Sequence, residues 1–524
     1  MKNIMKSRKT TDSTRRKGRD AQADPDEDYL DQDYDDYDNE EEERIRRIKN
    51  KVLVRVSYLM VALFLSMAGY LIYFNVVLRD DINNNQYNTK QSAYQEQIIR
   101  GNIYSADGNV LAQTDIAEDG TESRSYPYSN LFAHIVGYAT NGKSGIESVH
   151  NYDLLSSHAS ILDQIREEKL DTKVQGDSLV LTLNTQLQQV CYDALGDNKG
   201  AIVVLEPSTG KVLAMVSKPD FDPNTIEQDW DALINDDSNS SLFNRALQGQ
   251  YPPGSTFKII TMSAGLSEGV VSPNDSFFCP GYKIVEDRRI HCHKRTGHGA
   301  ENFVQGAQNS CNPVFIEVGL RLGVEKFCDY FRNFGLMKKT GIDLPGEAST
   351  IMHKEENIGE VELATMAFGQ SFQITPIRLA ATVSALVNGG KMVTPHVATD
   401  VLDEEGNVVK HLKFPEKEGV LSEETSRTVR EILESVVSEG SGKNAYLEGY
   451  SIGGKTATSQ TLPRSANRYI SSFLGFTPAE HPTVLGLCII RNPQGVYYGG
   501  TICAPVIRDI FSNVLPYLGI GHNS

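Results

Sequence analysis

The sequence lacks an excess of positive charge, and this absence excludes one large class of function. It carries 51 Lys or Arg against 68 Asp or Glu, a net charge of −17 over 524 residues. A chain with this balance is not a general nucleic-acid-binding protein. Cysteine is also scarce, with seven residues in the whole chain. The length predicts two or more domains and at least one large core.

Long apolar runs are scarce too, and no second run matches the quality of the one at residues 56–78. That run contains no charged side chain, and its length suits a bilayer core about 30 Å thick. Lys and Arg precede it and two aspartates follow it, so the positive-inside rule predicts a cytoplasmic N-terminus and an extracellular position for the rest of the chain. A cleaved signal peptide is the alternative, but the run is long for one and follows a polar tail. We predict a retained, single-pass transmembrane helix in the cell membrane.

Residues 1–55 carry blocks of charge of one sign. Residues 1–23 hold eight Lys or Arg against two Asp, and residues 24–43 hold thirteen acidic side chains. Such blocks bury almost no apolar surface, so we predict a disordered cytoplasmic tail. A docking role for this tail is the alternative to a simply solvated one.

The remainder of the chain divides at about residue 175. Residues 79–175 are mixed and polar, and they predict a small α+β or mostly β module, an N-terminal pedestal similar to a dimerisation domain that would hold the next domain away from the membrane. In residues 176–520 strands come first, then helices, then antiparallel strands, which predicts one α+β domain with helices on a sheet. The predicted strands are 179–183, 201–205, 212–216, 450–458, 470–476, 484–490 and 496–502. The predicted helices are 256–267, 303–322, 378–387, 422–438 and one after residue 505.

The first candidate catalytic pair lies in the stretch Tyr251-Pro-Pro-Gly-Ser-Thr-Phe-Lys258. In a helix, the spacing between Ser255 and Lys258 places both side chains on one face. A lysine amine can take the proton of a serine hydroxyl and so make a nucleophile. A lone S-x-x-K motif also occurs by chance, and a helix-capping serine with a solvated lysine is the alternative.

Two further motifs follow in order. Ser310-Cys-Asn312 places a serine and an asparagine two residues apart, where both can face one way. Gly453-Gly-Lys-Thr-Ala-Thr-Ser459 lies on a predicted strand, where alternate side chains share a face. Its small residues let a ligand backbone approach closely. The ordered set S-x-x-K, S-x-N and K-T-x is far more specific than any one member.

With these three motifs the chain resembles the penicillin-binding transpeptidase family. The resemblance runs from about Arg100 to Pro505. Further segments that carry it are Arg100–Ala112, Glu206–Gly210, Asn244–Ala246, Gly369-Gln370, Thr375-Pro376 and Gly499-Gly500. The N-terminal part is too short, and lacks the acidic motif, for the glycosyltransferase domain of bifunctional members. The chain is therefore similar to class B enzymes, which make peptide cross-links only.

The resemblance implies a membrane-anchored peptidoglycan D,D-transpeptidase, a serine acyltransferase that β-lactams inhibit covalently. Ser255 would attack the penultimate D-alanine of a cell-wall stem peptide, with Lys258 as base and Ser310 as proton relay. The implied substrate-binding residues are Asn312, Lys455, Thr456 and Thr458. The chemistry requires no cofactor. The implied membrane partner is a glycosyltransferase of the SEDS family.

The third motif departs from the family's usual Lys-Thr-Gly, because Ala457 replaces the glycine. The extra methyl group is expected where an acyl group passes close to the strand. It is therefore expected to narrow the pocket or to alter β-lactam affinity. Because Lys455, Thr456 and Thr458 remain, we expect activity to survive.

Three other functions would use the same fold. A D,D-carboxypeptidase would pass the acyl group to water, and the anchor with a pedestal favours the transpeptidase instead. A β-lactam sensor would bind without turnover, but sensors usually need several spans. A catalytically silent cell-division scaffold would not need the complete motif set. The sequence does not separate a division role from an elongation role.

Four candidate metal ligands lie around the S-x-N motif, namely Cys279, Cys292, His298 and Cys311. Three cysteines and a histidine suit a tetrahedral structural zinc site, and some elongation-type relatives carry zinc in this region. A Cys279–Cys292 disulfide is one alternative, and cysteines that only fill the core are another. His291 and His293 are alternates for His298. The other cysteines, which lie in apolar patterns, are predicted to pack in the core.

Overall fold

The computed structural model describes residues 28–78, 98–158, 173–461, 463–516 and 519. The chain divides into two compact units, and the boundary lies between residues 81 and 82. The described part of the first unit is one long helix, α1 (Asp28–Tyr73), followed by a single π-helical turn, Phe74–Leu78. The stretch Glu43–Leu78 is long and apolar enough to cross a membrane. The predicted apolar helix of spanning length is thus present over 56–78.

The predicted disordered tail differs from the structure over residues 28–55, which are helical. Glu, Lys and Arg all have good helix propensity, so a charged segment can be helical without burying apolar surface. Glu43 and Arg47 also form an ion pair of 2.7 Å across one turn, which supports the helix. Residues 1–27 lie outside the described residues.

The second unit contains many short strands. In chain order they are β1 (Ile98–Ile99), β2 (Ile103–Tyr104), β3 (Val110–Ile116), β4 (Glu122–Ser125), β5 (Val174–Gln175), β6 (Ser178–Leu181), β7 (Gly200–Leu205), β8 (Val212–Lys218), β9 (Ser276–Cys279), β10 (Tyr282–Val285), β11 (Arg288–His291), β12 (Gly299–Asn302), β13 (Met392–Val393), β14 (Ala398–Leu402), β15 (Val408–His411), β16 (Glu416–Lys417), β17 (Gly453–Gln460), β18 (Tyr469–Thr477) and β19 (Val484–Arg491).

The helices of the second unit vary from one turn to six. In chain order they are α2 (Ala133–Val136), α3 (Gly145–Val149), α4 (Asn151–Leu154), α5 (Thr185–Leu195), α6 (Ile226–Ile234), α7 (Lys258–Ser267), α8 (Phe303–Gln308), α9 (Asn312–Asn333), α10 (Glu360–Met366), α11 (Pro376–Val387), α12 (Glu423–Ser438) and α13 (Gly499–Val514).

A five-stranded antiparallel sheet, in the order β17-β18-β19-β7-β8, forms the centre of the second unit. Because strand side chains alternate between faces, Ala201, Val203 and Leu205 enter one core with α7 and α11. Ile202 and Val204 enter a second core with α5 and α13. The predicted antiparallel sheet flanked by helices is confirmed.

Two element predictions near the site were wrong. The segment 496–502 is a loop and the start of α13 instead of a strand, because the Gly499 N–H donates to Thr458 Oγ1 at 3.0 Å and anchors the helix start. Pro505 lies inside this helix. The predicted helix 303–322 is two helices, since Ser310 adopts a left-handed φ of +52° between α8 and α9.

A second sheet, in the order β15-β14-β6-β2-β3-β4, includes strands from both sides of the predicted boundary at residue 175. β2 pairs with β6 in parallel, and β14 pairs with β6 antiparallel. The Asp343 carboxylate accepts hydrogen bonds of 2.8 Å from the N–H groups of Val397 and Ala398 at the start of β14. Segments far apart in the chain therefore complete the sheet of the pedestal.

Candidate active site

Ser255 lies in a tight 3₁₀ turn, Gly254–Phe257, that leads directly into α7 at Lys258. Gly254 has a φ of +58°, a conformation that glycine adopts at little cost. A side chain on Gly254 would overlap Ser459 Oγ, so the turn packs directly on β17. The Ser255 hydroxyl, half-buried, makes no hydrogen bond with any described residue.

The Lys258 side chain is buried one turn after Ser255. Its Nζ donates to the Ser310 carbonyl oxygen at 2.6 Å, to Ser310 Oγ at 3.3 Å and to Asn312 Oδ1 at 2.8 Å. Burial lowers the pKa of Lys258 to about 8. The amine therefore gives up its proton more readily than a surface lysine, which is what a general base near neutral pH requires.

The S-x-N motif forms the junction of α8 and α9. The left-handed backbone at Ser310 and the start of α9 at Asn312 turn both side chains toward the Lys258 ammonium. Asn312 Nδ2 donates to the His291 carbonyl oxygen at 3.1 Å. The motif is thus fixed from one side by Lys258 and from the other by β11.

The third motif lies on β17. Lys455 is 1% exposed, and its Nζ has no hydrogen-bond partner among the described residues. Burial, and then the charge of Lys258, lower the pKa of Lys455 well below its usual value. A buried amine without a partner is well suited to receive an anion, which would favour its charged form.

The two threonines of the third motif lie on the other face of β17, toward α13. Thr458 Oγ1 accepts the Gly499 N–H, and the Thr456 side chain lies beside Gly500. Ala457 is 3% exposed, and its Cβ would be 3.4 Å from a Cβ on Gly254. The extra methyl group therefore lies beside the turn that carries Ser255.

Some residues that shape the site were not predicted to do so. Gly369, with a φ of +84°, accepts the Gly254 N–H at 2.9 Å, and a side chain on it would overlap the Gly254 carbonyl. Asn444 Nδ2 donates to the Gly500 carbonyl at 2.7 Å. Gly369 and Gly500 belong to the segments that carry the family resemblance, but the sequence alone does not reveal their contacts. The same holds for the His291 carbonyl, because a backbone contact leaves no pattern in the side chains.

The predicted metal ligands also meet. One ligand atom each from Cys279, Cys292, His298 and Cys311 lies within 4.8 Å of all the others. All seven cysteines are free thiols in the structure, and the three in the cluster are buried. The hydrogen bond with the Cys311 thiol lowers the pKa of Cys292. His293, one alternate, has its Nδ1 3.8 Å from Cys292 Sγ.

Comparisons with known proteins agree with this geometry. The family model described as "Penicillin binding protein transpeptidase domain" matches residues 200–512. A second model, "Penicillin binding protein A dimerisation domain", matches residues 100–179.

Two curated relatives and one solved structure illustrate the likeness. The chain is 39% identical over 433 residues to Stage V sporulation protein D of Bacillus subtilis (strain 168), covering 77% of this chain and 65% of that protein. It is 29% identical over 448 residues to peptidoglycan D,D-transpeptidase MrdA of Acinetobacter baumannii, covering 74% and 65%. The chain thus spans less than two thirds of each relative. The crystal structure of the D,D-transpeptidase domain of a peptidoglycan glycosyltransferase from Eggerthella lenta aligns at 28% identity with a TM-score of 0.72, covering 80% of this chain and 99% of that one. This confirms the predicted fold.

Proposed function

Because the chain belongs to the penicillin-binding protein transpeptidase family, we propose that it is a membrane-anchored peptidoglycan D,D-transpeptidase that works through a Ser255 acyl-enzyme. One observation carries the proposal. The buried Lys258 amine, one turn after Ser255, is held by Ser310 and Asn312, and burial lowers its pKa to about 8. Such an amine can accept a hydroxyl proton near neutral pH.

The first proposed step is acyl transfer to Ser255. Lys258 accepts the hydroxyl proton while Ser255 Oγ bonds to the carbonyl carbon of the penultimate D-alanine. The amide C–N bond then breaks, and Ser310 relays the proton from Lys258 to the departing D-alanine. The 3.3 Å between Lys258 Nζ and Ser310 Oγ suits this relay.

The other motif residues are proposed to bind the donor peptide. Asn312 would hold the peptide amide, while Lys455 and Thr456 would bind the terminal carboxylate. The unpartnered amine of Lys455 supports this role. The backbone N–H groups of Ser255 and Thr458 would form the oxyanion hole, in which one donor is worth about 3–4 kcal/mol in a serine protease.

In the second proposed step an amine of a neighbouring strand attacks the ester carbonyl. The new amide is the cross-link, and Ser255 recovers its proton. Water in place of the amine would give carboxypeptidase activity. β-Lactams would be trapped at the first step, because the opened ring leaves an ester that hydrolyses poorly.

A structural zinc ion is the proposed occupant of the cysteine cluster. With a Zn–S distance of about 2.3 Å, tetrahedral ligand atoms lie about 3.8 Å apart, and Cys292 Sγ lies 3.7 Å from His298 Nδ1. The buried Glu301 Oε1, which has no hydrogen-bond partner among the described residues, lies 4.0 Å from that nitrogen and adds negative charge that favours a dication. Bound zinc would tie Cys311 to Cys292, which directly follows β11, and so fix the Ser310–Asn312 loop.

The layout of the chain is proposed from the same family membership. Residues 1–55 would be a cytoplasmic tail, 56–78 a single membrane anchor, 79–175 a pedestal and 176–520 the extracellular transpeptidase domain. The apolar window within Glu43–Leu78 has no buried residue, which supports the anchor. A SEDS-family glycosyltransferase in the membrane would contact this helix, which photo-crosslinking from exposed positions such as Leu65 would test.

The decisive experiment is product analysis with two peptide substrates. Full-length protein in detergent is given a D-Ala-D-Ala donor peptide and a second peptide that offers only an acceptor amine. The proposal predicts a cross-linked dimer and an equal amount of free D-alanine, both absent with Ser255→Ala. A truncated donor without dimer would mean a carboxypeptidase, and no D-alanine release from well-folded protein would overturn the enzyme assignment.

A further inference from the structure

The hairpin of β10 and β11 has one face packed on the protein and one face free. In its antiparallel register Tyr282 pairs with His291 and Ile284 pairs with Arg289. Paired residues and their second neighbours share a face, so these four side chains form one surface, which we name the outer face.

The opposite face of the hairpin holds it in place. Val285 and Ile290 pack against Ile316 of α9, and Lys283 Nζ forms a 2.6 Å ion pair with Glu317. The outer face is consequently directed away from α9, and Ile284 on it is 56% exposed.

The base of the hairpin reaches the catalytic residues through two hydrogen bonds. The His291 carbonyl accepts Asn312 Nδ2 at 3.1 Å, and Asn312 Oδ1 accepts Lys258 Nζ at 2.8 Å. His291, one of the four residues of the outer face, is therefore two hydrogen bonds away from Lys258.

Positive charge is concentrated on this surface, in a chain whose net charge is −17. The Arg289 guanidinium lies 4.4 Å from the Tyr282 ring centroid, a cation–π contact that holds it in position. The backbone of Arg295 folds back beside Gly281, which brings the exposed Lys294 and Arg295 to the base of the hairpin. None of these three cations forms an ion pair with a residue that the structure describes, whereas Arg288 is paired with Asp287 at 3.4 Å.

We propose that the outer face, with Lys294 and Arg295, binds the carboxylate-bearing part of the stem peptide that precedes its D-Ala-D-Ala end. The proposal rests on the proposed function. Guanidinium groups recognise carboxylates with two parallel hydrogen bonds, and the exposed Ile284 offers apolar contact to alanine methyl groups. Charge complementarity favours an acidic peptide over a neutral one on this surface.

The test compares two peptides that differ in one carboxylate. These are Ac-L-Ala-γ-D-Glu-L-Lys-D-Ala-D-Ala and the same peptide with the glutamate α-carboxylate amidated. For each, we measure the concentration that halves the rate of benzylpenicillin acylation of full-length protein in detergent. This readout needs no turnover, and each variant's rate without peptide is its own reference.

The wild type is expected to bind the glutamate peptide at least about fivefold more tightly than the amide, with the difference shrinking in high salt. Arg289→Gln should weaken the glutamate peptide about fivefold and leave the amide peptide as it was. Arg288→Gln, on the same hairpin but already ion-paired, is the matched control and should change neither.

Equal binding of the two peptides by the wild type would overturn the inference. So would equal effects of Arg288→Gln and Arg289→Gln, or an Arg289→Gln effect that is the same for both peptides. If penicillin never acylates the wild type, the proposed function itself fails, and this inference fails with it.

Discussion

At the scale of single residues, the chemistry depends on the protonation of Lys258. Burial lowers its pKa from 10.5 to about 8, so about one tenth of the amines are neutral at pH 7. We predict that the rate of penicillin acylation rises about tenfold from pH 6 to 7, rises further to pH 8 and then levels. Stopped-flow acylation across this range checks the profile.

The same shift has an effect on stability with a defined sign. The unfolded chain binds the Lys258 proton between about pH 8 and 10.5 while the folded chain does not. As the pH rises through that window, Lys258 therefore raises the free energy of unfolding, and the folded protein becomes more stable. A flat acylation profile from pH 6 to 9, with the protein folded throughout, would contradict Lys258 as the base.

Gly254 sets the position of the nucleophile. Replacing it by alanine places a side chain at a φ of +58° and against Ser459 Oγ. We expect the free energy of unfolding to fall by about 2–4 kcal/mol and penicillin acylation to slow at least about tenfold. Denaturant titration and acylation kinetics measure the two effects.

A double variant separates the two causes of that loss. Adding Ser459→Ala to Gly254→Ala removes the overlap with the hydroxyl but leaves the backbone strain. Part of the lost stability should therefore return. A Gly254→Ala protein as stable and reactive as the wild type would show that the turn does not need its glycine.

At the scale of elements, the sequence predicted the helix that follows Ser255 and the strand of the third motif well, because their signals are local. The strand that became β17 shows the period-two pattern and small residues that the motif needs. The segment 496–502 has apolar residues at strand-like spacing, yet the Gly499 N–H bonded to Thr458 makes it a helix start. The break at Ser310 depends on a left-handed backbone and on contacts from Lys258 and His291, which no local pattern reveals.

The cysteine cluster allows a test of whether a bound metal fixes the Ser310–Asn312 loop. We predict about one zinc per chain in protein purified without chelator, and little in Cys292→Ser. Loss of the metal should slow penicillin acylation severalfold, because the Ser310–Asn312 loop loses its tie to the hairpin. Metal analysis and acylation rates give the two readouts.

Cys328→Ser is the control, since Cys328 is buried but lies outside the cluster. It should keep the zinc content of the wild type. Metal-free wild-type protein in which Cys279 and Cys292 are disulfide-bonded would replace the zinc proposal with the disulfide alternative.

At the scale of the whole molecule, the described residues from 98 onward belong to one compact unit. The predicted boundary at residue 175 did not anticipate that β14 joins the pedestal sheet, since Ala398 pairs with Leu181 more than two hundred residues earlier. Hydrophobic alternation identifies a strand but not a distant partner. That β14 lies in the same sheet as the pedestal strands was therefore visible only in the structure.

A buried ion network in the pedestal tests whether the pedestal and the catalytic part unfold together. The Glu147 carboxylate is fully buried between Arg100, at 2.5 Å, and Arg124, at 2.7 Å. Glu147→Gln leaves two buried guanidinium groups without their counter-charge, which we expect to cost about 3–5 kcal/mol. Glu118→Gln, at an exposed position in the same region, should cost almost nothing.

Two probes show how far the loss of stability in Glu147→Gln extends beyond the pedestal. The single tryptophan, Trp230, has its ring centroid 6.0 Å from that of Tyr138 in the pedestal, so its fluorescence reports on that contact. Penicillin acylation reports on the catalytic site. In Glu147→Gln, the change in Trp230 fluorescence and the loss of penicillin acylation should occur at the same temperature, which is lower than in the wild type. Acylation that persists to the wild-type temperature would show that the two parts unfold independently.

The most direct test of the central claim is to find where benzylpenicillin attaches to the full-length protein. Intact-mass analysis followed by tryptic mapping should show one penicillin per chain, on the peptide 246–258 that contains Ser255, and none on Ser255→Ala. An adduct on another residue would contradict the account. So would a chain with native Trp230 fluorescence that is never acylated.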